Sequence, residues 1–211
     1  MITINRSDPV VYLVDDEFAI RDSLTLLLES SGQTVKSFDS AQAFLDDYKP
    51  EQAGCLILDV RMPLMSGFEL QEKLAEKNIT LPIIFISGNA QIPDSAKAFR
   101  AGAVDFLEKP FDYKILLQRI QEAINKDAEE RAEASEKRRL QSRLDQLTCR
   151  EKEVLSLIVS SHSSKEAGKI LNISNRTIEV HRANIMEKMQ VQNFSELMIV
   201  AMKCGIIAIS G

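Results

Sequence analysis

The sequence has little of what marks secreted, membrane-bound or disordered chains. Its cysteines number three, Cys55, Cys149 and Cys204, which is an odd count without a CxxC pair. That usage reads as buried, reduced thiols of a cytosolic protein. No apolar run reaches the ~20 residues of a membrane span. The longest, residues 197–209, is interrupted by Lys203. Residues 2–8 are polar and lack an apolar core, so no signal peptide is expected. The remaining composition is that of an ordinary globular protein, and 211 residues suit one large domain or two small ones.

Charge divides the chain. Residues 1–125 carry 12 Lys+Arg against 19 Asp+Glu, while residues 126–211 carry 14 against 12, which accounts for the net charge of −5. An acidic first part and a mildly basic second part predict two domains with different partners.

In the first part, five short apolar runs fall at 10–14, 34–38, 55–58, 82–86 and 104–107. Helix-like segments separate them. Ile20, Leu24, Leu27 and Leu28 recur at helical spacing up to Gly32, and Ser40 caps a short helix with Ala43, Phe44 and Leu45. Further helices are predicted over 67–74, from Pro93 to near Gly102, and from Asp112 onward. Strands alternating with helices at this spacing predict a parallel sheet covered on both faces. Right-handed crossovers then bring every strand's C-terminal end to one edge. The residues delivered there are Asp15 and Asp16, Asp59, Ser87 and Lys109.

An isolated strand-end aspartate is more simply a cap or turn residue. The company of Asp59 changes that reading. Like charges ~4 Å apart repel by about 4 kcal/mol at an effective dielectric of 20. Three carboxylates at one rim therefore take up protons or bind a cation. Oxygen ligands with room for water suit Mg²⁺, which tends to bridge to phosphate. Asp59 can then attack phosphorus as a carboxylate nucleophile, Lys109 can neutralise a second phosphoryl oxygen, and Ser87 can donate to a third.

The acidic pair Asp15-Asp16, the pattern D-x-x-M-P-x-x-x-G from Asp59 to Gly67, Ser87-Gly88, Phe106 and Lys109-Pro110 resemble the receiver domain of bacterial two-component response regulators. The likeness covers roughly residues 8–125. It implies a flavodoxin-like, doubly wound five-stranded parallel sheet. It also implies that Asp59 is the phosphoacceptor for a sensor histidine kinase. Mg²⁺ (or Mn²⁺) would be held by Asp16, Asp59 and the backbone carbonyl of Arg61, with Asp15 helping through water. Ser87 and Lys109 would stabilise the phosphoryl group. Ser87 and Phe106 would form a switch pair, with the ring turning into the space the hydroxyl leaves. Lys109-Pro110 is typically a cis peptide in that family. Asn89-Ala90-Gln91 departs from what is usual after Gly88. Taken singly, Phe106 reads as core, Ser87 as a cap, and Met62 and Met65 as packing; the joint pattern raises Asp59, Asp16 and Lys109 above such readings.

Residues 127–143 are highly charged and contain no Gly or Pro. Two readings stay open for 126–145: a solvated helix laced by i,i+3 and i,i+4 charge pairs, or a flexible charged linker.

The second part, residues 146–211, predicts four short helices. Thr148-Cys149-Arg150-Glu151 and Ser163-Ser164-Lys165-Glu166 are capping boxes. Asn172 can replace the usual terminating glycine. Ser174 caps a helix over 175–189, and 193–202 makes the last. The middle two have helix-turn-helix spacing. In the 175–189 helix, Ile178, Ile185 and Met189 share the buried face.

The patterns L-T-x-R-E-x-E-V-L (147–155), Lys165-Glu166 and S-N-R-T-I-E-V-H-R-A-N-I-M-E-K-M (174–189) resemble the LuxR-type helix-turn-helix. That likeness implies an all-α domain whose 175–189 helix enters the major groove of double-stranded DNA. Glu179, Val180 and Ala183 would face bases. Arg176 supplies positive charge, and Lys165, Thr177, His181, Arg182 and Lys188 would mainly hold phosphates. Ala167-Gly168 departs from the common Ile-Ala. A glycine in a helix interior costs ~1 kcal/mol relative to Ala, so this helix is either less stable or packed closer than usual. The last helix is commonly a dimer contact in the family, although its apolar positions also suit core.

Together the two likenesses describe the FixJ/NarL group of response regulators. They imply a transcription factor in the bacterial cytoplasm, gated by phosphorylation of Asp59. Dimerisation would use the face formed by the helix from Pro93, the strand 104–107 and the helix from Asp112, bringing two DNA-binding domains to two half-sites, with RNA polymerase as a further partner. The rival class is an aspartate-nucleophile phosphohydrolase. It needs a general acid two residues after the nucleophile, where Arg61 stands, and it leaves the second domain unexplained. A regulator that never takes phosphate is the third reading, and the intact acceptor, metal and lysine positions speak against it.

Overall fold

All five apolar runs form strands: β1 Val10–Val14, β2 Thr34–Phe38, β3 Gly54–Asp59, β4 Ile83–Ser87 and β5 Asp105–Glu108. The computed structural model describes residues 8–88, 98–100 and 102–206. The strands make one parallel sheet in the order β2-β1-β3-β4-β5. Near-continuous apolar strands are required because both faces are covered. Val10, Tyr12, Val14, Leu56, Leu58, Ile83 and Phe85 pack on one side with Phe44, Leu70 and Leu74. Val11, Leu13, Cys55, Ile57, Ile84 and Ile86 pack on the other with Leu24, Leu28, Leu116 and Ile120. The period-two alternation of a strand sorts the residues between these layers.

Helices α1 Phe18–Ser30, α2 Ala41–Asp47 and α3 Gly67–Glu76 follow the first three strands. Ser40 caps α2 as expected, accepting from Ala43 N. Ser66 and Glu69 close a capping box on α3. Residues 98–100 are helical. The rest of the helix expected from Pro93, and the Asn89-Ala90-Gln91 departure, lie outside the described residues.

The charged stretch is helical. It belongs to α4, Tyr113–Asp145, a helix of 33 residues. The chain divides into two compact units, Met1–Arg131 and Ala132–Gly211. In the first unit, Leu116, Ile120, Ala123 and Ile124 bury α4 against the sheet. Beyond them Asp127, only 1% exposed, accepts from the first amide of β3, Gly54 N, at 2.9 Å and from Arg131 Nε at 2.7 Å. Arg131 also donates to the carbonyls of Pro50 and Gln52, at 2.6 and 3.0 Å. These bonds tie α4 to the loop that enters β3.

The second unit contains α5 Cys149–Val159, α6 Ser164–Leu171, α7 Asn175–Met189 and α8 Phe194–Lys203. Thr148 and Ser163 form both expected capping boxes, and Asn172 ends α6 in the left-handed conformation (φ 54°). The core gathers Leu144, Leu147, Val154, Leu155, Ile158, Ala167, Ile178, Ile185, Met189 and Leu197. Among the described residues, no helix is long and apolar enough to cross a membrane.

Replacing Asp127 with Ala strips Gly54 N and the Arg131 guanidinium of their shared acceptor. Loss of a largely buried, charge-assisted pair costs about 2–3 kcal/mol. Urea unfolding of Asp127→Ala is expected to show a correspondingly lower midpoint at unchanged slope.

Candidate functional site

The site begins with strand register. Val14 of β1 lies opposite Leu58 of β3, so the next residues, Asp15 and Asp59, end side by side. Both are buried, at 0% and 6% exposure. Lys109, just past β5, reaches across to them. Its Nζ stands 2.7 Å from Asp15 Oδ2 and 2.8 Å from Asp59 Oδ1. The second oxygen of Asp59 accepts from Arg61 N at 2.6 Å. Asp15 Oδ1 accepts from Glu17 N at 2.9 Å, and Arg21 Nη1 donates to the Asp15 carbonyl at 2.7 Å.

Burial pushes the Asp59 carboxyl up, and the opposing pull of Lys109 and the Arg61 amide does not overcome it. Burial also works against the charge on Lys109, yet its bonds to Asp15 and Asp59 prevail and raise its pKa. The ammonium is thus held charged between two acids.

The chain beyond Asp59 turns away under tight constraint. Gly67 N donates to the Val60 carbonyl at 3.0 Å. A Cβ at position 67 would stand 2.3 Å from the backbone oxygen of Asp59, so only glycine fits where α3 starts against the strand end. Asp16 is exposed and lines an open cleft with Val60, Arg61, Met62, Pro63, Ser66 and Phe68. The Asp59 carboxylate therefore lies beside an open cleft.

Ser87, buried at the end of β4, receives Lys109 N on its carbonyl at 2.8 Å. Phe106 sits in register with Phe85, and the two rings pack with centroids 6.2 Å apart. Phe106 is half-buried and packs against that layer of the core. The Lys109-Pro110 peptide is cis.

Whether these residues fit Mg²⁺ can be tested on the donors. Among the described residues, no three His, Cys, Asp or Glu side chains group into an all-protein cage. Mg²⁺ does not need one, because it binds through one or two carboxylates, keeps several waters and takes substrate phosphate. Asp15 and Asp59 already hold a cationic group between their oxygens, with Asp16 and Arg61 lining the adjoining cleft. Hard oxygen donors around a cation's position fit the ion.

In the second unit, Arg176, Glu179, Val180 and Ala183 are exposed at i, i+3, i+4 and i+7 and form one stripe along α7. Thr177 is exposed and bonded to the cap, its hydroxyl 2.8 Å from Ser174 Oγ. Lys165 is exposed on α6. Three of the residues assigned to phosphates are engaged differently. Arg182 donates to Ser164 Oγ at 3.0 Å and stands 6.0 Å from the Phe194 ring centroid. Lys188 bonds Glu151 Oε2 at 2.7 Å. Burial opposes the charge on Glu151, but Lys188 and Thr148 outweigh it and hold the carboxyl below its ordinary range. His181 has a buried Nδ1 without a hydrogen-bond partner, so only its other edge faces outward chemistry.

Gly168 resolves the departure noted in the sequence. A Cβ there would lie 2.9 Å from the Ile173 carbonyl. The helix is packed closer to the turn than an alanine allows. Sequence reasoning missed Arg21, the Asp127–Arg131 pair, the Glu151–Lys188 pair and Arg143, which donates to the Met189 carbonyl at 3.1 Å. Asp127 and Arg131 do stand at the i,i+4 spacing expected of this helix, but nothing local marks their bonds to Gly54 N and the loop before β3, and the other contacts belong to no periodic pattern.

Residues 11–121 match the family described as response regulator receiver domain, and residues 145–201 match bacterial regulatory proteins of the luxR family. Response regulator protein TmoT of Ectopseudomonas mendocina is 43% identical over 92% of this chain and 88% of its own length. Transcriptional regulatory protein FixJ of Rhizobium meliloti (strain 1021) is 39% identical over 94% of this chain and 98% of its own. The low-resolution structure of response regulator StyR is similar with a TM-score of 0.88 at 40% identity, covering 93% of this chain and all of that one (100%). Full-length FixJ from B. japonicum gives 0.57 at 38% identity, covering 96% and 100%.

Gly168→Ala pits a helix-propensity gain of about 1 kcal/mol against an overpacking cost of about 1–3. The obstructing atom is backbone and cannot rotate away, so the cost wins. The melting temperature of the C-terminal unit, followed in the intact chain, is expected to fall by a few degrees.

Proposed function

Because the chain belongs to the response regulators that join a receiver domain to a LuxR-type DNA-binding domain, we propose that phosphorylation of Asp59 by a sensor histidine kinase gates its binding to promoter DNA. The observation that carries this reading is the single ammonium of Lys109 shared by two buried carboxylates, one of them beside an open cleft.

The chemistry follows from these atoms. An Asp59 oxygen attacks the phosphorus of a phosphohistidine. The P–O bond forms as the P–N bond breaks, and the imidazole leaves with its electron pair. Lys109 moves from carboxylate to phosphoryl oxygen, keeping its charge, and the Ser87 hydroxyl donates to another oxygen. Asp16, Asp59 and the Arg61 carbonyl would hold Mg²⁺ (or Mn²⁺), with Asp15 helping through water, and the ion would supply charge neutralisation at the phosphoryl oxygens. Little acid–base work is required, since phosphoryl transfer is mainly positioning and electrostatics. Arg61 stands two residues after the acceptor, where a phosphohydrolase needs an acid.

Phosphate adds negative charge and strong acceptors at the rim. The Ser87/Phe106 pair then biases the face carried by β5 and the start of α4 toward dimerisation. Two copies of α7 reach two half-sites. Glu179, Val180 and Ala183 meet the groove, with Arg176, Lys165, Thr177 and the outer edge of His181 at phosphates. RNA polymerase is the downstream partner, and the setting is the bacterial cytoplasm.

DNA footprints of wild type and Asp59→Asn, each with and without a small phosphodonor and Mg²⁺, test the gating. Only phosphodonor-treated wild type is expected to give the strong footprint; four identical footprints overturn the proposal, and steady phosphoester turnover favours an enzyme. On the DNA side, Arg176→Ala is expected to weaken binding to all sequences and to lower the salt slope by about 1, whereas Glu179→Ala shifts sequence preference with the slope unchanged. Salt titrations on operator and unrelated duplexes separate the two.

A further inference from the structure

The C-terminal end of α7 is held from outside. A helix end leaves carbonyls unsatisfied and carries the negative end of the helix dipole. Gln190 closes α7 in the left-handed conformation (φ 53°), returning its own N–H to Glu187 and that of Val191 to Met186. The Met189 carbonyl accepts from Arg143 Nη1 at 3.1 Å, and Arg143 Nη2 donates to Gln190 Oε1. One guanidinium therefore bridges the last helical residue and its cap.

Arg143 stands on α4 between Leu140 and Leu144, both buried. Its position within this unit is fixed by packing as well as by hydrogen bonds. Lys203 of α8 bonds Glu136 of α4 at 2.9 Å, so α4 holds α7 and α8 alike. A planar fork suits two acceptors at set positions; a lysine point charge does not.

We propose that Arg143 is a positioning residue of the DNA-reading surface, fixing the C-terminal end of α7 so that Glu179, Val180 and Ala183 are presented at one pitch. The inference rests on the reading of α7 as the DNA-reading helix. Magnitudes support it. Glu179 and Met189 are ten residues apart, about 15 Å along a helix axis. A tilt of about 5° displaces one relative to the other by about 1.3 Å on that rise, more than the spread of good hydrogen-bond lengths, roughly 0.5 Å. Loss of the fork thus degrades base contacts that need geometry, while phosphate contacts made by flexible side chains survive.

The test uses the full chain with phosphodonor and Mg²⁺. Wild type first selects an operator from random duplexes; failure to select any sequence sinks the DNA-reading premise itself. With an operator in hand, Arg143→Met, Arg143→Lys and Gln190→Ala are titrated against operator and unrelated duplex over a range of salt. Arg143→Met is expected to lose about tenfold on the operator, with affinity for unrelated duplex and the salt slope unchanged. Arg143→Lys recovers part of the loss, and Gln190→Ala shows a smaller loss of the same kind. These milder variants carry the test if Arg143→Met does not fold. A salt slope reduced by about 0.9 identifies a direct phosphate contact and overturns the proposal. An unchanged operator-to-unrelated ratio, with or without a lower melting temperature, overturns it as well.

Discussion

Two carboxylates at the end of adjacent strands cannot both remain charged in a buried rim without a cation, and the first unit is arranged around Lys109 as that cation. Parallel register brings Asp15 beside Asp59. The strand order places β5 two strands away, from where the long lysine side chain spans back across β4. The turn after Asp59 closes so tightly that position 67 admits only glycine. Any change in charge at Asp15 or Asp59 therefore falls on this shared ammonium. Its backbone amide is bonded to the Ser87 carbonyl, so the same residue is also anchored at the β4–β5 edge.

The second unit solves a different problem. Its α7 combines an exposed polar face with ends held by neighbouring elements. The exposed stripe is cheap to recognise, and the fixing comes from neighbours: Glu151 on Lys188, Ser164 on Arg182, Arg143 on the helix end. Positive charges on α7 therefore divide into those aimed at solvent and those bonded inward. Charge counting alone cannot make that division.

Much of the architecture was legible because its signals are local. The apolar runs, the capping boxes at Thr148 and Ser163, and the cap-to-end span of α7 each lie within a few residues, and the structure reproduces them. The rim constellation was legible because parallel topology sends strand ends to one edge. Long-range bonds left no such trace. Asp127 meets Gly54 across 73 positions and Arg143 meets Met189 across 46. In sequence both residues look like ordinary charges on a solvated helix. Gly168 was legible as an anomaly but not in its sign, since a destabilised helix and a close approach predict the same letter.

The three cysteines, expected from the sequence to be buried, are not alike: Cys55 is buried, Cys204 half-buried and Cys149 exposed, so reagents can tell them apart. Burial pushes the Cys55 thiol up to about 12 and also raises that of the half-buried Cys204, while Cys149 opens α5 on an exposed face. A thiol-directed dye at low excess thus marks the C-terminal unit at a single known position. The native chain carries its own labelling point for fluorescence or spin-probe work, without an engineered residue in either the Asp15–Asp59–Lys109 cluster or the stripe on α7.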